Sequence, residues 1–221
     1  MTHPAVDGVA GLRSRLRAAL AGSRPSLPGE ESLAGLPIEV TARYRHLIPA
    51  DATAAAVLVP VIDHADGLTV LLTERASDLR HHPGQISFPG GRLEPDDDGP
   101  VAAALRETEE EIGLSREHVE VLGFLPDHVI LTGYRVTPVV GLVRPGFTMS
   151  IDAMEVASVF EVPLSFILDP ANHHLRRRNV GIEHVDVYDL PFGTRNIWGA
   201  TAGMLVSLTR LFGVAPAVAG A

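Results

Sequence analysis

The chain has 221 residues, a formal net charge of −9 at pH 7 and 46% hydrophobic residues, which excludes disorder and a fibrous architecture and describes one acidic globular domain of generous size. It has no Cys and all 18 of its basic residues are Arg, so disulfides, thiolate nucleophiles, Cys-ligated metals, a phosphate-loop lysine and a Schiff base are excluded. Carboxylate, imidazole, hydroxyl and guanidinium chemistry remain.

Residues 1–37 read as an N-terminal extension. A short helix carries Val9, Leu12, Leu16 and Leu20 near one face, by which it is expected to pack on the domain, and a Pro/Gly/Ser-rich connector ends at Pro37. Val9 to Leu20 is interrupted by Arg13, Arg15 and Arg17, unlike the apolar core of a signal peptide. The longest apolar run, Ala54 to Ile62, is far short of the roughly 20 residues of a membrane span. A soluble, cytoplasmic protein with no membrane contact is expected. Its acidity also argues against a nucleic-acid partner, since that affinity comes from neutralising phosphates.

Ala54 to Ile62 and Leu68 to Thr73 are predicted strands joined by a hairpin across Asp63 to Gly67. Glu74 to Gly99 lacks periodicity and reads as a long functional loop. A helix follows, with Asp98 or Gly99 as cap, Pro100 in the first turn and Gly113 as stop. Val119 to Phe124, Val136 to Val143, Val156 to Val162 and Ile182 to Tyr188 read as further strands, Trp198 to Phe212 as a closing helix, and 213–221 as a flexible tail. The pairs His81-His82 and His173-His174 read as surface loops rather than zinc ligands, Arg176-Arg177-Arg178 as a solvated turn with contact to an anionic partner as the lesser option, and Trp198 as core packing near the last helix with substrate stacking as the lesser option. The pattern predicts an α/β fold, a mixed sheet covered by two or three helices.

On the central helix Val101, Leu105, Thr108 and Ile112 form one stripe, expected to face inward, while Glu107, Glu110 and Glu111 cluster on the opposite side. Glu107 and Glu111 stand four apart, a like-charge pairing that costs roughly 0.2–0.5 kcal/mol in a bare helix. A divalent cation would reverse that sign. Oxygen ligands without Cys favour Mg²⁺ or Mn²⁺, which bind through a few carboxylates plus substrate phosphates. Upstream, Phe88-Pro89-Gly90-Gly91 forms a turn that allows close backbone approach, and Glu94, Asp96, Asp97 and Asp98 form an acidic loop.

Gly91 to Leu114, ending in Arg106-Glu107-Thr108-Glu109-Glu110-Glu111-Ile112-Gly113-Leu114, closely resembles the signature of the Nudix hydrolases. The interval from Gly91 to Arg106 is one residue longer than the general pattern, which aligns the spaced acid as Asp98. That longer interval is similar to the coenzyme A pyrophosphatase branch. The stretch Leu71-Leu72-Thr73-Glu74-Arg75 through Arg80-His81-His82-Pro83-Gly84-Gln85 to Gly91 resembles that branch's second signature, and the likeness extends over about Ile38 to Leu211. The domain is set at 38–212.

The resemblance implies a Nudix fold, an α/β/α sandwich around a mixed central sheet with a loop-helix-loop catalytic motif. It implies Glu107 and Glu111 as the principal Mg²⁺ or Mn²⁺ ligands, with Glu110 and the Gly91 carbonyl joining them. Arg106 would hold the glutamates in place through ion pairs, with Asp98 as a further partner. The implied reaction is hydrolysis of a diphosphate joined to another moiety, with Glu107 or Glu110 as proton acceptor. On coenzyme A or its thioesters, one product is 3′,5′-ADP and the other 4′-phosphopantetheine or its acylated form. ADP-ribose, a nucleotide sugar or a dNTP are alternative substrates, and a non-catalytic nucleotide-binding regulator is a competing class that the intact Glu107, Glu110 and Glu111 argue against. A polyanionic small molecule meeting an acidic protein needs local positive charge. Arg75, Arg80 and Arg92 flank the glycine turn, and Arg80 with His82 and Gln85 is expected to hold phosphate or the nucleotide end. A homodimer is one assembly open to the chain.

Overall fold

The apolar run that opens the body lacks polar alternation because it is covered on both faces. In the computed structural model, which describes residues 8–27, 30–33, 35–37, 44, 46, 51–77, 84–130, 133–180 and 183–215, this run is strand β2 (Thr53–Asp63). Its Ala55, Val59 and Val61 enter one buried cluster, and Ala56, Leu58 and Ile62 enter another. Ahead of it lie helix α1 (Val9–Leu20) and β1 (Ser32–Leu33). After it come β3 (Leu68–Arg75), β4 (Ile86–Ser87), β5 (Gly90–Arg92), α2 (Gly99–Ile112), β6 (Val119–Phe124), β7 (His128–Ile130) and β8 (Tyr134–Val143). The chain continues through β9 (Val156–Pro163), α3 (Leu164–Leu168), β10 (His174–Val180), β11 (Glu183–Phe192), β12 (Arg195–Trp198) and α4 (Gly199–Arg210).

Among the described residues, nine strands form one mixed sheet in the order β1-β7-β8-β2-β3-β4, with β5 joined to β2, β6 to β8 and β9 to β3. The predicted hairpin forms, pairing Val61 with Val70 and Asp63 with Leu68, while β2 and β8 run parallel from Thr53–Tyr134 to Ile62–Val143. Pro60, which has no N–H for a ladder, falls between the part of β2 paired with β5 and the part paired with β3. Helix α2 covers one face through Ala103, Ala104 and Ile112. Leu16 and Leu20 of α1, Leu164 and Ile167 of α3, and Leu205 and Leu208 of α4 cover the other. This is the expected α/β/α sandwich. Helix α1 is also tied by Arg15, which donates to the Phe212 carbonyl at 2.7 Å, and by Arg17, paired with Glu120 at 2.6 Å.

A separate antiparallel sheet, β10-β11-β12, completes the structure. Here the sequence reading needs correction. His174 and the arginine triplet lie on β10, not in a loop or turn, because cross-strand charge replaces apolar patterning: Arg176 pairs with the buried Asp189 at 3.0 Å and Arg177 with Asp186 at 3.3 Å. His173 is buried, with Nε2 2.7 Å from the Ile167 carbonyl oxygen. Glu74 to Gly99 is not wholly loop, since it contains the end of β3 together with β4 and β5. His81-His82 lies outside the described residues. No helix among the described residues is long and apolar enough to cross a membrane.

His128 on β7 is 1% exposed, with Ser207 Oγ 3.3 Å from its Nε2 and no partner on Nδ1 among the described residues. Burial pushes its pKa down from 6.5 to about 4. The unfolded chain therefore takes up this proton first as pH falls, and stability is lost from about pH 6.5 down to about 4. Urea unfolding at pH 8 and pH 5 is expected to show about 2 kcal/mol more acid destabilisation in the parent than in a His128→Gln variant. Parallel pH dependence in the two proteins would refute this.

Candidate active site

Helix α2 begins after Asp98, whose side chain makes no capping hydrogen bond, carries Pro100 in its first turn and ends at Gly113 in the left-handed conformation. Of the predicted inward stripe, Thr108 and Ile112 are buried, but Val101 and Leu105 are only half-buried. The buried side is rotated toward Ala103, Ala104 and Glu111. Glu111 is thus not on a solvated face: it is 5% exposed. Its Oε2 accepts the Gly90 N–H at 3.2 Å, which links the helix to the glycine turn.

That turn is stitched to the middle of the sheet. Gly90 and Gly91 pair with Val57 and Ala56, and the Leu58 N–H donates to the Pro89 carbonyl at 2.9 Å. Gly90 has φ 147 and a Cβ there would strike the Ala56 carbonyl, so only glycine fits. A Cβ on Gly91 would lie 2.5 Å from the Glu107 carboxyl carbon. The missing side chain lets main chain and carboxylate meet.

Arg106 organises the rest. Its Nη2 pairs with Asp97 at 2.9 Å, and its Nη1 pairs with Glu107 at 3.0 Å and Glu110 at 3.1 Å. Nη2 also donates to the Arg92 carbonyl at 3.3 Å. The acidic-loop partner is therefore Asp97, not Asp98. The guanidinium beside it holds Asp97 below the usual carboxylate range, and these bonds raise the pKa of Arg106 itself. The glutamates differ in setting: Glu107 is 19% exposed and Glu110 60%. Burial raises Glu107, opposed by the Arg106 hydrogen bond and reinforced by Glu110 and Glu155. Burial pushes Glu111 up to about 7, opposed by the Gly90 N–H and by Arg75.

Glu155 is a site residue that the linear reading missed. It lies just before β9, and the field of its carboxylate raises both Glu107 and Glu111. Its segment is fastened to the end of α2, where Ser150 N–H donates to the Ile112 carbonyl and Asp152 N–H to the Glu111 carbonyl. No sequence pattern marks it.

On the far side of the glycine strand lies a cavity of about 900 Å³. Arg75, Gln85, Gly91 and Arg92 line it together, so the structure brings these predicted residues into one place. Arg92 is steadied by Tyr134, whose hydroxyl accepts from its Nε at 3.1 Å. Arg80 and His82 lie outside the described residues. The opposite wall includes Arg178, Val187 and Trp198, where the lesser options for the arginine triplet and the tryptophan apply. Trp198 is not core packing: it is 37% exposed. None of the described residues lining the cavity is acidic.

A NUDIX domain model matches residues 52–180. An uncharacterized Nudix hydrolase NudL of Citrobacter koseri is 43% identical over 167 residues, covering 73% of this chain and 84% of that protein. The chain belongs to the Nudix family. The Escherichia coli K12 protein called uncharacterized Nudix hydrolase NudL is 41% identical with the same coverage. A solved Nudix hydrolase from M. smegmatis, RenU, shares the fold with a TM-score of 0.51 at 19% identity, over 76% of this chain and 91% of that one. As a Nudix hydrolase the protein acts on pyrophosphate bonds, and such enzymes generally use divalent metal ions.

Asp97→Asn is expected to lower the rate of diphosphate hydrolysis by about 10- to 100-fold, because second-layer partners of site carboxylates carry effects of that size. Asp98→Asn should stay near the parent rate. The reverse order, measured at saturating metal, would contradict the ion-pair geometry.

Proposed function

We propose that the protein hydrolyses the diphosphate of coenzyme A or of its thioesters, releasing 3′,5′-ADP and 4′-phosphopantetheine or its acylated form, with Mg²⁺ or Mn²⁺ as its cation. The observation that carries this reading is the cavity of about 900 Å³ against the glycine turn, where, among the described residues, three arginines and no carboxylate line a largely apolar space. Such a space suits a large ligand with several phosphates attached to an apolar body. The likeness of Leu71 to Gly91 to the coenzyme A signature supports the same substrate.

The donor set fits a hard cation. Glu107 reaches the Gly91 main chain where a Cβ would collide and Glu111 accepts from the neighbouring Gly90 N–H, and the like-charge fields of Glu107 and Glu155 at Glu111 are opposed by Arg75 and that N–H. Among the described residues no three His, Asp or Glu side chains are gathered as a metal cage. When bound, the cation would supply Lewis-acid polarisation and neutralise charge on the phosphoryl oxygens.

The chain's own groups do the rest. Arg75 and Arg92 hold phosphate oxygens from the cavity side. Glu107, sheltered and fixed by Arg106, accepts the proton of the attacking water. Glu110, exposed and committed to Arg106, is a positioning residue, and Glu155 adds negative charge at the mouth of the carboxylate group.

Incubation with Mg²⁺ and coenzyme A, beside ADP-ribose and dGTP, should release 3′,5′-ADP preferentially, and Glu107→Gln should lower kcat by about 10²- to 10⁴-fold without unfolding the protein. Preferred cleavage of ADP-ribose would overturn the substrate assignment, and an unaltered kcat in Glu107→Gln would overturn the role of that carboxylate.

A further inference from the structure

Arg178 stands apart from the other two members of its triplet. On β10, Arg176 and Arg177 each meet a carboxylate of β11, whereas the residue registered opposite Arg178 is Val185. Instead the Arg178 guanidinium lies over the Trp198 ring, 4.9 Å from its centroid. Its Nε is buried and has no acceptor among the described residues. A buried donor left unfilled is costly, and an arginine whose plane is fixed by an aromatic face is prepared to bind an oxyanion through its fork. Both residues line the cavity.

The position of this arginine matters. Arg75, Arg92 and the glycine turn belong to the nine-stranded sheet, on the wall next to α2, while Arg178 and Trp198 come from the three-stranded sheet. Positive charge is therefore supplied from two separate scaffolds. A simple diphosphate joining two neutral halves needs only the first of these.

We propose that Arg178, held on Trp198, is a specificity subsite for a second anionic group: a phosphate monoester on the part of the substrate remote from the bond that is cut. This rests on reading the cavity as the substrate site. It deepens that reading, because it selects substrates that carry a phosphate beyond the diphosphate and gives the three-stranded sheet a role in choosing them.

Trp198 is the protein's only tryptophan, so its fluorescence reports this wall directly, without turnover. Titration with 3′,5′-ADP and with 5′-AMP in the presence of EDTA should show emission changes with both and at least about tenfold tighter binding of the bisphosphate. In Arg178→Gln that ratio should collapse to within about twofold, and Arg178→Lys should restore part of it. The ratio of kcat/KM for coenzyme A over its 3′-dephospho form should collapse in parallel. A ratio that survives in Arg178→Gln, equal weakening of both nucleotides, or emission that responds to neither ligand would overturn the subsite. Two results separate this inference from the functional reading. A tenfold binding ratio that depends on Arg178, in a protein that does not cleave coenzyme A, would support the subsite and remove the substrate assignment. Cleavage of coenzyme A and its dephospho form at equal efficiency, with equal nucleotide binding, would remove the subsite and leave the hydrolase standing.

Discussion

The Arg106 guanidinium reaches Asp97 in the acidic loop, Glu107 and Glu110 on α2, and the Arg92 carbonyl at the end of β5. Three segments are thus referenced to one planar group, and a planar fork constrains direction as well as distance. The arrangement also resolves an electrostatic problem. Glu107, Glu110, Glu111 and Glu155 repel one another in a partly dry environment, and Arg106 is the cation that contacts two of them directly. It leaves Glu111 outside its grip. That carboxylate is steadied by a main-chain N–H and by the more distant field of Arg75.

Gly90 and Gly91 form the partition between two regions of opposite sign. Carboxylates, bridged by Arg106, crowd one side and the cavity arginines the other, and the two glycines between them contribute no side chain. Bulk here would separate the two regions: a Cβ at Gly91 would displace Glu107, and one at Gly90 would break the pairing with β2. A phosphoanhydride needs both regions at once, anionic oxygens held by guanidinium groups while its phosphorus faces groups that can accept a proton. In a chain of net charge −9, this segregation, and not overall charge, is what admits a polyanion.

The central helix was legible because its punctuation is physical: Pro100 needs no N–H donor in the first turn, and Gly113 takes a left-handed conformation that other residues resist. The long strands were legible from apolar runs. Four failures have definite causes. Asp97 takes the place assigned to Asp98 because three consecutive aspartates in a turn give no periodicity from which to choose. Glu111 was placed opposite the buried stripe because helical angle alone does not reveal that its carboxylate is covered where it meets the Gly90 N–H. Strands β10 and β12 carry Arg, His and Asn where a strand pattern expects apolar residues, and their pairing depends on partners distant in sequence. Glu155 had no local signal, since its position depends on hydrogen bonds from its loop to the end of α2.

In the reading proposed above, the groups for chemistry lie on α2 and the glycine strand of the larger sheet, and those for selection on the smaller sheet. Among the described residues no strand of β10-β11-β12 pairs with the nine-stranded sheet. The smaller sheet is held by side-chain and loop contacts: Arg195 of β12 pairs with Glu74 of β3 at 3.8 Å and lies over the Phe160 ring of β9, the Tyr188 N–H donates to the Gly35 carbonyl at 2.7 Å, and Gly35 closely approaches Gly199 at the start of α4. Substitution on β10 or at Trp198 therefore changes the far wall of the cavity without moving the ladder that fixes Gly90 and Gly91, and without touching the Arg106 network. A scaffold divided in this way lets recognition of the remote part of a substrate vary while the carboxylate geometry stays constant. It also explains why the acidic helix alone identifies a reaction and not a substrate: the residues that would discriminate lie some seventy or more positions further along the chain, on strands that only the folded structure brings to the same cavity.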